Sequence, residues 1–218
     1  MGHQPEERSA NLSARRSGRT PAEAIVVAAS TGGPQALAAL FASLGPQISQ
    51  VPVFVVLHMP AQFGPIVVSQ IERISGCPTH IAGHREVARS GHIYFAPGDQ
   101  HLSLVDRGLS IGMNLDHGPE VNFCRPAADV LFSSAASVYG ASTVAVVLSG
   151  MGNDGCAGAL SISRAGGYVF AQDRASSAVW GMPGAVVESG AAQYVLPIPD
   201  IAAHIARLLV ADRSGAAA

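Results

Sequence analysis

A chain of 218 residues, of which 48% are hydrophobic and 13% charged, can bury the core of one α/β domain, which excludes an intrinsically disordered protein. The formal net charge of -2 argues against nucleic acid as a partner, because such a surface needs an excess of basic residues. The cysteines have no Cys-x-x-Cys spacing, so a disulfide scaffold is not expected; they are Cys77, Cys124 and Cys156.

The two ends of the chain differ in composition from its middle. Residues 1–21 are polar, rich in Ser and Arg and without an apolar h-region, so we predict a disordered tail rather than a signal peptide. Residues 213–218 are expected to fray, which leaves 22–212 as the folded domain. No apolar run is long enough to span a bilayer, and we expect a cytoplasmic protein without direct membrane insertion.

Between the ends, short β-branched runs alternate with longer segments rich in Ala and Leu. In chain order, this pattern predicts a strand at 24–29, a helix at 34–44, a strand at 53–57, a helix at 63–74, strands at 77–82, 91–96, 101–105 and 109–113, a helix at 127–139, a strand at 143–148, a helix at 155–164, a strand at 168–171 and a helix at 201–209.

Near-continuous apolar strands that alternate with helices are typical of a parallel sheet covered on both faces. Turn signals, Pro-Gly-Asp at 97–99 and Asp-Arg-Gly at 106–108, separate the three short strands between 91 and 113, so we expect these to form antiparallel hairpins. The predicted fold is therefore α/β: a doubly wound, mostly parallel, Rossmann-like sheet in three layers, with an antiparallel hairpin extension.

Functional residues of such a sheet belong in the loops at the carboxyl ends of its strands. Ser30 lies directly between the first predicted strand and the first predicted helix, followed by Gly32 and Gly33. The hydroxyl would lie at the sheet edge, beside the free N–H groups and positive dipole of a helix N-terminus. Three interpretations remain open from these residues: a helix N-cap, an anion-binding loop, or a nucleophile with an oxyanion pocket.

Two further loops follow apolar strands. His58 ends the second strand and has the side chain of a general base, or is a structural histidine. Asp154 lies in the glycine-rich segment 149–155 and could orient that histidine, or cap a helix or turn. Ser, His and Asp at one sheet edge suit acyl transfer, although their chain order differs from that of α/β-hydrolases. A serine hydrolase and a non-catalytic Rossmann-like anion-binding module both remain open here.

Five histidines between residues 80 and 117 could suggest a metal site, but none forms a His-Glu-x-x-His pair or a Cys/His cluster with ligand spacing. We therefore expect no metal site from them and no cofactor. They are His80, His84, His92, His101 and His117.

At these loops the sequence resembles a known family, the catalytic domain of bacterial chemotaxis protein-glutamate methylesterases (CheB). The resemblance extends from about residue 24 to about residue 209, and several long motifs follow one another in family order. The matching segments are ASTGGP (29–34), LHMP (57–60), GHIYFAPG (91–98), RPAADVLF (125–132), GMGNDG (150–155), AQD (171–173) and WGMP (180–183).

The resemblance implies a role for individual residues. It makes Ser30 the nucleophile, His58 the general base and Asp154 the carboxylate that orients it. It also places Thr31 and Met151, with Gly32, in the oxyanion and substrate pocket. In the matching Arg-Pro-x-x-Asp segment, Arg125 either contacts an acidic receptor surface or forms a structural ion pair.

The resemblance also implies a substrate, the glutamate methyl esters on the cytoplasmic helical domain of methyl-accepting chemoreceptors, with release of methanol. Deamidation of specific receptor glutamines is implied as a second activity. Family members usually carry an N-terminal receiver domain, and residues 1–21 leave no room for one. We therefore expect an excised domain, or control by other means such as a separate response regulator or kinase. A related hydrolase with another protein substrate remains an alternative.

Overall fold

The structure, a computed structural model, describes residues 20–210. Of the predicted tail at 1–21, residues 1–19 lie outside this range, as does the predicted fraying at 213–218. Within it, the boundary expected at residue 22 lies just before the first strand, which begins at Ala24.

The predicted alternation of strands and helices is present. The strands are β1 (Ala24–Ala29), β2 (Val53–Leu57), β3 (Thr79–Ile81), β4 (Ile93–Phe95), β5 (His101–Asp106), β6 (Ile111–Asp116), β7 (Thr143–Val147), β8 (Tyr168–Gln172) and β9 (Tyr194–Leu196). The helices are α1 (Gly33–Leu44), α2 (Gly64–Ser75), α3 (Ala128–Tyr139), α4 (Cys156–Arg164), α5 (Gly181–Glu188) and α6 (Ile198–Val210). Short 3-10 helices occupy Gly45–Gln50, Ala61–Phe63 and Gly140–Ser142.

Seven strands form one parallel sheet in the order β3-β4-β2-β1-β7-β8-β9, and β5 and β6 form a separate antiparallel pair. The central strand β1 is buried at all six residues, because helices cover both of its faces. Ile25, Val27 and Ala29 pack in the core with α1 and α6, whereas the alternate residues pack with α3 and α4. Alternate residues of β1 therefore face two different layers of helices, which confirms the predicted doubly wound, three-layer α/β fold.

One strand prediction is wrong. The segment 91–96 was expected in an antiparallel hairpin, but β4 pairs in parallel with β2 and β3 inside the main sheet. All three of its residues are buried, and a strand that is apolar on both faces is stable only between two covering layers. The turn at 97–99 therefore ends a central strand, and the β5–β6 hairpin is the antiparallel extension.

Two elements near the C-terminus were not predicted. Helix α5 begins with Gly-Met-Pro-Gly, a composition that disfavours helices. Strand β9 is only three residues long, Tyr-Val-Leu, and none is fully buried, so its apolar run is too short to predict a strand. No helix within residues 20–210 is both long and apolar enough to cross a membrane.

Helices α3 and α4 pack closely at Gly158, and this contact predicts a stability effect. A Cβ at Gly158 would clash with the Cβ of Phe132 and lie 3.2 Å from the Cα of Asp129. We expect Gly158→Ala to lower the free energy of unfolding by about 1–3 kcal/mol, since overpacking outweighs the better helix propensity of Ala. Thermal or urea unfolding measures the change.

Gly64→Ala is the matched control, because a Cβ at this helical glycine would make only an ordinary contact, 3.6 Å from Cδ1 of Ile81. It should leave stability unchanged or raise it slightly. Equal effects of the two substitutions would contradict the close-packing argument.

Candidate active site

Three neighbouring strands, β2, β1 and β7, end at one edge of the sheet and carry the predicted site. Ser30 follows β1, His58 follows β2, and the loop that contains Asp154 follows β7. Backbone hydrogen bonds extend the sheet ladder into these loops. The N–H of His58 donates to the Ala29 carbonyl (3.0 Å), and the N–H of Ser30 donates to the Ser149 carbonyl (3.0 Å). The sheet thus places the three predicted loops at one edge, with neighbouring strands leading into them.

Ser30 lies in a tight turn between β1 and α1. The N-cap of α1 is Gly32, at φ 77° and with no side-chain cap, so Ser30 is not the helix cap that was one of its interpretations. A Cβ at Gly32 would lie 2.7 Å from the Cβ of Ala178, and a Cβ at Gly150 would lie 2.9 Å from the Cβ of Ser30. Glycine at these two positions lets neighbouring loops close around the serine.

His58 and Asp154 face each other in a largely water-free part of the site. Nε2 of His58 lies 2.9 Å from Oδ2 of Asp154, with side chains that are 15% and 2% exposed. The ring N–H direction is not aligned with this oxygen, so Nε2 is buried without a well-formed hydrogen bond. No hydrogen bond joins the Ser30 hydroxyl to His58 in the described part of the chain. Catalytic hydrogen bonds are often loose without substrate and tighten in the complex.

Asp154 is held by the N-terminus of a helix 25 residues earlier in the chain. Its carboxylate accepts the N–H groups of Ala128 (2.6 Å) and Asp129 (3.1 Å), which begin α3, and that of Gly155 (3.0 Å). Burial alone would raise the pKa of Asp154, but the close contact with His58 and the hydrogen bonds from Ala128 and Asp129 outweigh it and lower the pKa. Asp154 is therefore ionised at neutral pH, and it both caps α3 and faces His58.

A second buried carboxylate, Asp129, is linked to the first through Asn122, a residue that the sequence analysis missed. The Asn122 amide donates to Oδ2 of Asp129 (2.7 Å) and to Oδ1 of Asp154 (3.3 Å). Burial raises the pKa of Asp129, and the charge of Asp154 adds to the increase. The N–H of Gly158 also donates to Asp129 (2.7 Å). Asn122 thus separates two carboxylates whose repulsion would otherwise disturb the site.

The expected oxyanion donors have free N–H groups. Within residues 20–210, the backbone N–H groups of Thr31 and Met151 donate no hydrogen bond. The Thr31 carbonyl accepts the hydroxyl of Ser149 (2.7 Å), and Gly150 is bound on both sides, its N–H to Val179 (3.0 Å) and its carbonyl to Met182 (2.8 Å). These bonds fix the loops, so the free donors are preorganised for a developing negative charge.

Trp180 connects the end of β8 to the loop that contains Met151. Its side chain is half-buried, and its indole N–H donates to the Gln172 carbonyl (3.1 Å). The backbone of Trp180 forms a parallel bridge with Gly150. The residue therefore anchors the loop of Met151 rather than filling the core.

Arg125 forms the structural ion pair that was one of its two interpretations. Its guanidinium donates to Oδ1 of Asp99 (2.6 and 2.9 Å) and to the Gly118 carbonyl (2.9 Å). Hydrogen bonding from Arg125 lowers the pKa of Asp99. A substrate-binding role for Arg125 stays a prediction.

Cys124 lies beside the histidine and was not singled out from the sequence. Its Sγ is 4.0 Å from Nδ1 of His58. Burial raises the pKa of this thiol, and the carboxylates of Asp154, Glu120 and Asp129 raise it further, so the thiol is protonated at neutral pH and a poor nucleophile. His58, Cys124 and Asp154 form the one group among the described residues whose ligand atoms are close enough to hold a metal. This group contains none of the five histidines at positions 80, 84, 92, 101 and 117.

The geometry as a whole suits acyl transfer. A hydroxyl lies beside free N–H donors at a helix N-terminus, and an imidazole lies against an ionised, buried carboxylate. These are the parts of a serine hydrolase site.

The low pKa of Asp154 predicts a pH-dependent effect on stability. A carboxyl whose pKa is lower in the folded chain than in the unfolded one, where it is about 3.9, stabilises the fold above that pH. This contribution is lost as the pH falls through the folded value. We expect Asp154→Asn to lower the free energy of unfolding by about 1–3 kcal/mol at pH 7, since buried N–H donors lose a charged acceptor. The difference from the unsubstituted protein should shrink as the pH falls below about 4.

Urea unfolding at pH 7 and at lower pH measures this difference. Asp106→Asn, at an exposed aspartate of the β5–β6 hairpin, is the control and should change stability by less than about 0.5 kcal/mol. A difference for Asp154→Asn that stays constant with pH would show that its charge does not stabilise the fold.

Comparison with known proteins agrees with this geometry. A protein-glutamate methylesterase/protein-glutamine glutaminase of Nitrobacter winogradskyi is 46% identical over 189 residues, which cover 87% of this chain and 44% of the relative. A protein-glutamate methylesterase/protein-glutamine glutaminase of group 2 operon from Rhodopseudomonas palustris is 45% identical over 205 residues, 94% of this chain and 52% of the relative. The chain thus spans about half the length of these curated relatives.

A solved structure and a family model extend the match. The crystal structure of the Thermotoga maritima CheB methylesterase catalytic domain superposes with a TM-score of 0.83 at 35% identity, covering 87% of this chain and all of that one. The model of the family described as CheB methylesterase matches residues 25–205, which contain β2, β7, all of β1 but its first residue, and the three loops that follow these strands. The chain therefore belongs to the CheB methylesterase family.

Proposed function

We propose that this chain is a serine hydrolase that removes methyl groups from glutamate methyl esters of chemoreceptors and deamidates specific receptor glutamines. One observation carries the proposal: a buried, ionised Asp154 lies 2.9 Å from His58 at the sheet edge where half-buried Ser30 follows β1. The names of the relatives, protein-glutamate methylesterase/protein-glutamine glutaminase, support the choice of substrate.

In the proposed reaction, Ser30 Oγ attacks the ester carbonyl carbon while His58 accepts the hydroxyl proton. Because Nε2 faces Asp154, Nδ1 is the ring nitrogen left for this proton, the reverse of the orientation in chymotrypsin-type triads. The N–H groups of Thr31 and Met151 bind the oxyanion, and Asp154 stabilises the imidazolium. His58 then protonates the leaving methoxide, and methanol departs.

The second half of the reaction regenerates the enzyme. Water attacks the acyl-enzyme and gives a proton to His58, which returns it to Ser30 Oγ as the glutamate carboxylate leaves. A glutamine side chain follows the same steps, with ammonia as the leaving group. The two activities in the relatives' names are therefore consistent with one site.

The surface around the site supports a protein substrate. Phe123 is 97% exposed and is the neighbour of Cys124, which contacts His58. Met151 is 74% exposed and belongs to the Asp154 loop. Exposed large apolar side chains at a site mark a surface that binds another macromolecule. We propose the cytoplasmic helical domain of methyl-accepting chemoreceptors as that partner, and hence a cytoplasmic location. Control by a separate response regulator or kinase stays a prediction.

The non-catalytic anion-binding module accounts for less of the geometry. Such a module needs the helix N-terminus and Gly32, but it has no use for His58 against an ionised carboxylate. A cysteine hydrolase built on Cys124 and His58 is disfavoured because the neighbouring carboxylates and burial keep the thiol protonated.

Methanol release from methylated chemoreceptor membranes tests the proposal. We expect Ser30→Ala and His58→Gln to lower kcat by roughly 10⁴- to 10⁶-fold, and Asp154→Asn by roughly 10³- to 10⁴-fold, because the three groups act as one unit. Ser137→Ala makes the same change as Ser30→Ala at an exposed position of α3 and should retain full activity. Full activity in Ser30→Ala would disprove the mechanism.

Labelling with a fluorophosphonate separates the remaining alternatives. A serine hydrolase should be labelled at Ser30, and His58→Gln should slow the labelling strongly, because the reagent needs an activated nucleophile. Labelling at Ser30 without methanol release would favour a related hydrolase with another protein substrate. Absence of both would favour the anion-binding module.

A further inference from the structure

Three different ligand side chains converge where the general base is expected to act. One ring nitrogen of His58, Sγ of Cys124 and one carboxylate oxygen of Asp154 all lie within 4.8 Å of one another. The closest approaches are 2.9 Å between Nε2 and Oδ2, and 4.0 Å between Nδ1 and Sγ. The function proposed above does not use the thiol, so its position beside the other two groups is unexplained by it.

Imidazole nitrogen, thiolate sulfur and carboxylate oxygen together are the donor set of Zn²⁺. Zinc binds nitrogen and oxygen at about 2.0–2.2 Å and sulfur at about 2.3 Å in a tetrahedron, so its ligand atoms lie about 3.2–3.7 Å apart. The 2.9 Å and 4.0 Å approaches involve different ring nitrogens, and one ion takes only one of them. With one ligand atom from each residue, all separations are within 4.8 Å, so the pairs must close by about an ångström at most to reach zinc geometry.

Two sides of this cluster are already held in place. Backbone N–H groups of Ala128 and Gly155 fix the carboxylate of Asp154. Cys124 ends a tight turn at 121–124. Its N–H donates to the Val121 carbonyl (2.9 Å), and its carbonyl accepts the Val121 N–H (3.1 Å). The two central residues have φ 53° and 60°. A rigid ligand set lowers the entropy that is lost on binding.

The electrostatics of the cluster favour a cation. The carboxylates of Asp154 and Asp129 lie close together, since both accept hydrogen bonds from the one amide group of Asn122 (3.3 and 2.7 Å). In addition, Nε2 of His58 is buried and has no aligned hydrogen-bond partner, so a metal would satisfy a polar atom that the protein leaves unsatisfied.

We propose that His58, Cys124 and Asp154 bind one Zn²⁺ ion, with water as the fourth ligand, and that this ion reversibly inhibits the hydrolase. On binding, the Cys124 thiol gives its proton to solvent, and Nε2 of His58 gives its lone pair to the metal. The ring proton is then held on Nδ1, so this nitrogen can no longer accept the proton of Ser30. Metal binding stands on the three side chains alone; the inhibition rests on the proposed function. Mg²⁺ is not expected to bind, because it prefers oxygen ligands.

Cobalt replaces zinc as a spectroscopic probe, because a cobalt–thiolate bond gives a charge-transfer absorption band. Titration of the full chain with Co²⁺ should produce this band at one equivalent, and Zn²⁺ should abolish it. Cys124→Ser should lose the band and weaken zinc binding by about tenfold or more, since even partners outside the ligand set contribute that much. Cys156→Ser, at another half-buried thiol, is the matched control and should keep it.

Ser30→Ala should also keep the band, which makes the binding test independent of hydrolysis. A missing band, or a band that survives in Cys124→Ser, would overturn the metal site even if the protein released methanol. A band without any esterase activity would leave the site in place and remove the proposed function instead.

Two measurements complete the test. Zinc should protect Cys124 of the unsubstituted protein, but not Cys156, from alkylation followed by mass spectrometry; lack of protection would overturn the site whether or not Cys124→Ser folds. In the methanol assay, zinc should inhibit and a chelator should restore the rate. Equal zinc sensitivity of Cys124→Ser and the unsubstituted protein would refute the inhibitory role.

Discussion

The buried charge of Asp154 is the constraint around which the site is organised. A carboxylate in a water-poor environment is stable only if nearly all its oxygen lone pairs find donors. Here the first N–H groups of α3, the N–H of Gly155 and the amide of Asn122 provide them. This need for hydrogen-bond donors therefore fixes the relative positions of the loop after β7, the start of α3 and the turn at 121–124. His58 packs against the carboxylate that these segments hold.

The sheet topology explains why these loops meet. Strand β1 is central, and the chain proceeds from it to β2 on one side and later to β7 on the other. Such a switch point opens a crevice at the carboxyl ends of the strands. The crevice is narrow, and glycine at 32 and 150 is required there, because any side chain would strike Ala178 or Ser30. Close packing thus places the loops that carry the free N–H groups of Thr31 and Met151 next to Ser30.

The same negative surroundings affect each side chain of the site differently. Burial and the neighbouring carboxylates together raise the pKa of the Cys124 thiol and of Asp129, because both disfavour a further negative charge. The negative charge of these carboxylates would stabilise an imidazolium formed during acyl transfer. It would equally stabilise a divalent cation bound by the same residues. The proposed activity and the proposed inhibition are in this sense two uses of one electrostatic arrangement.

Local sequence determined the parts of this protein that depend on neighbouring residues. The apolar run of β1, the helix that follows Gly32, and the Ser30, His58 and Asp154 loops were all predictable, because period, turn residues and strand ends act within a few positions. The family resemblance added roles for the residues in those loops.

Tertiary structure alone decided the rest. The segment of β4 has the same local signals as a hairpin strand, and only its burial between β2 and β3 makes it parallel. The link from Asn122 to Asp154 joins residues 32 apart, and the ion pair of Arg125 with Asp99 joins residues 26 apart. Hydrogen bonds of this kind depend on which distant segments the fold brings together, and no local pattern encodes that. The sequence thus identified the side chains of the site, whereas the packing of distant segments determined their ionisation and their contacts.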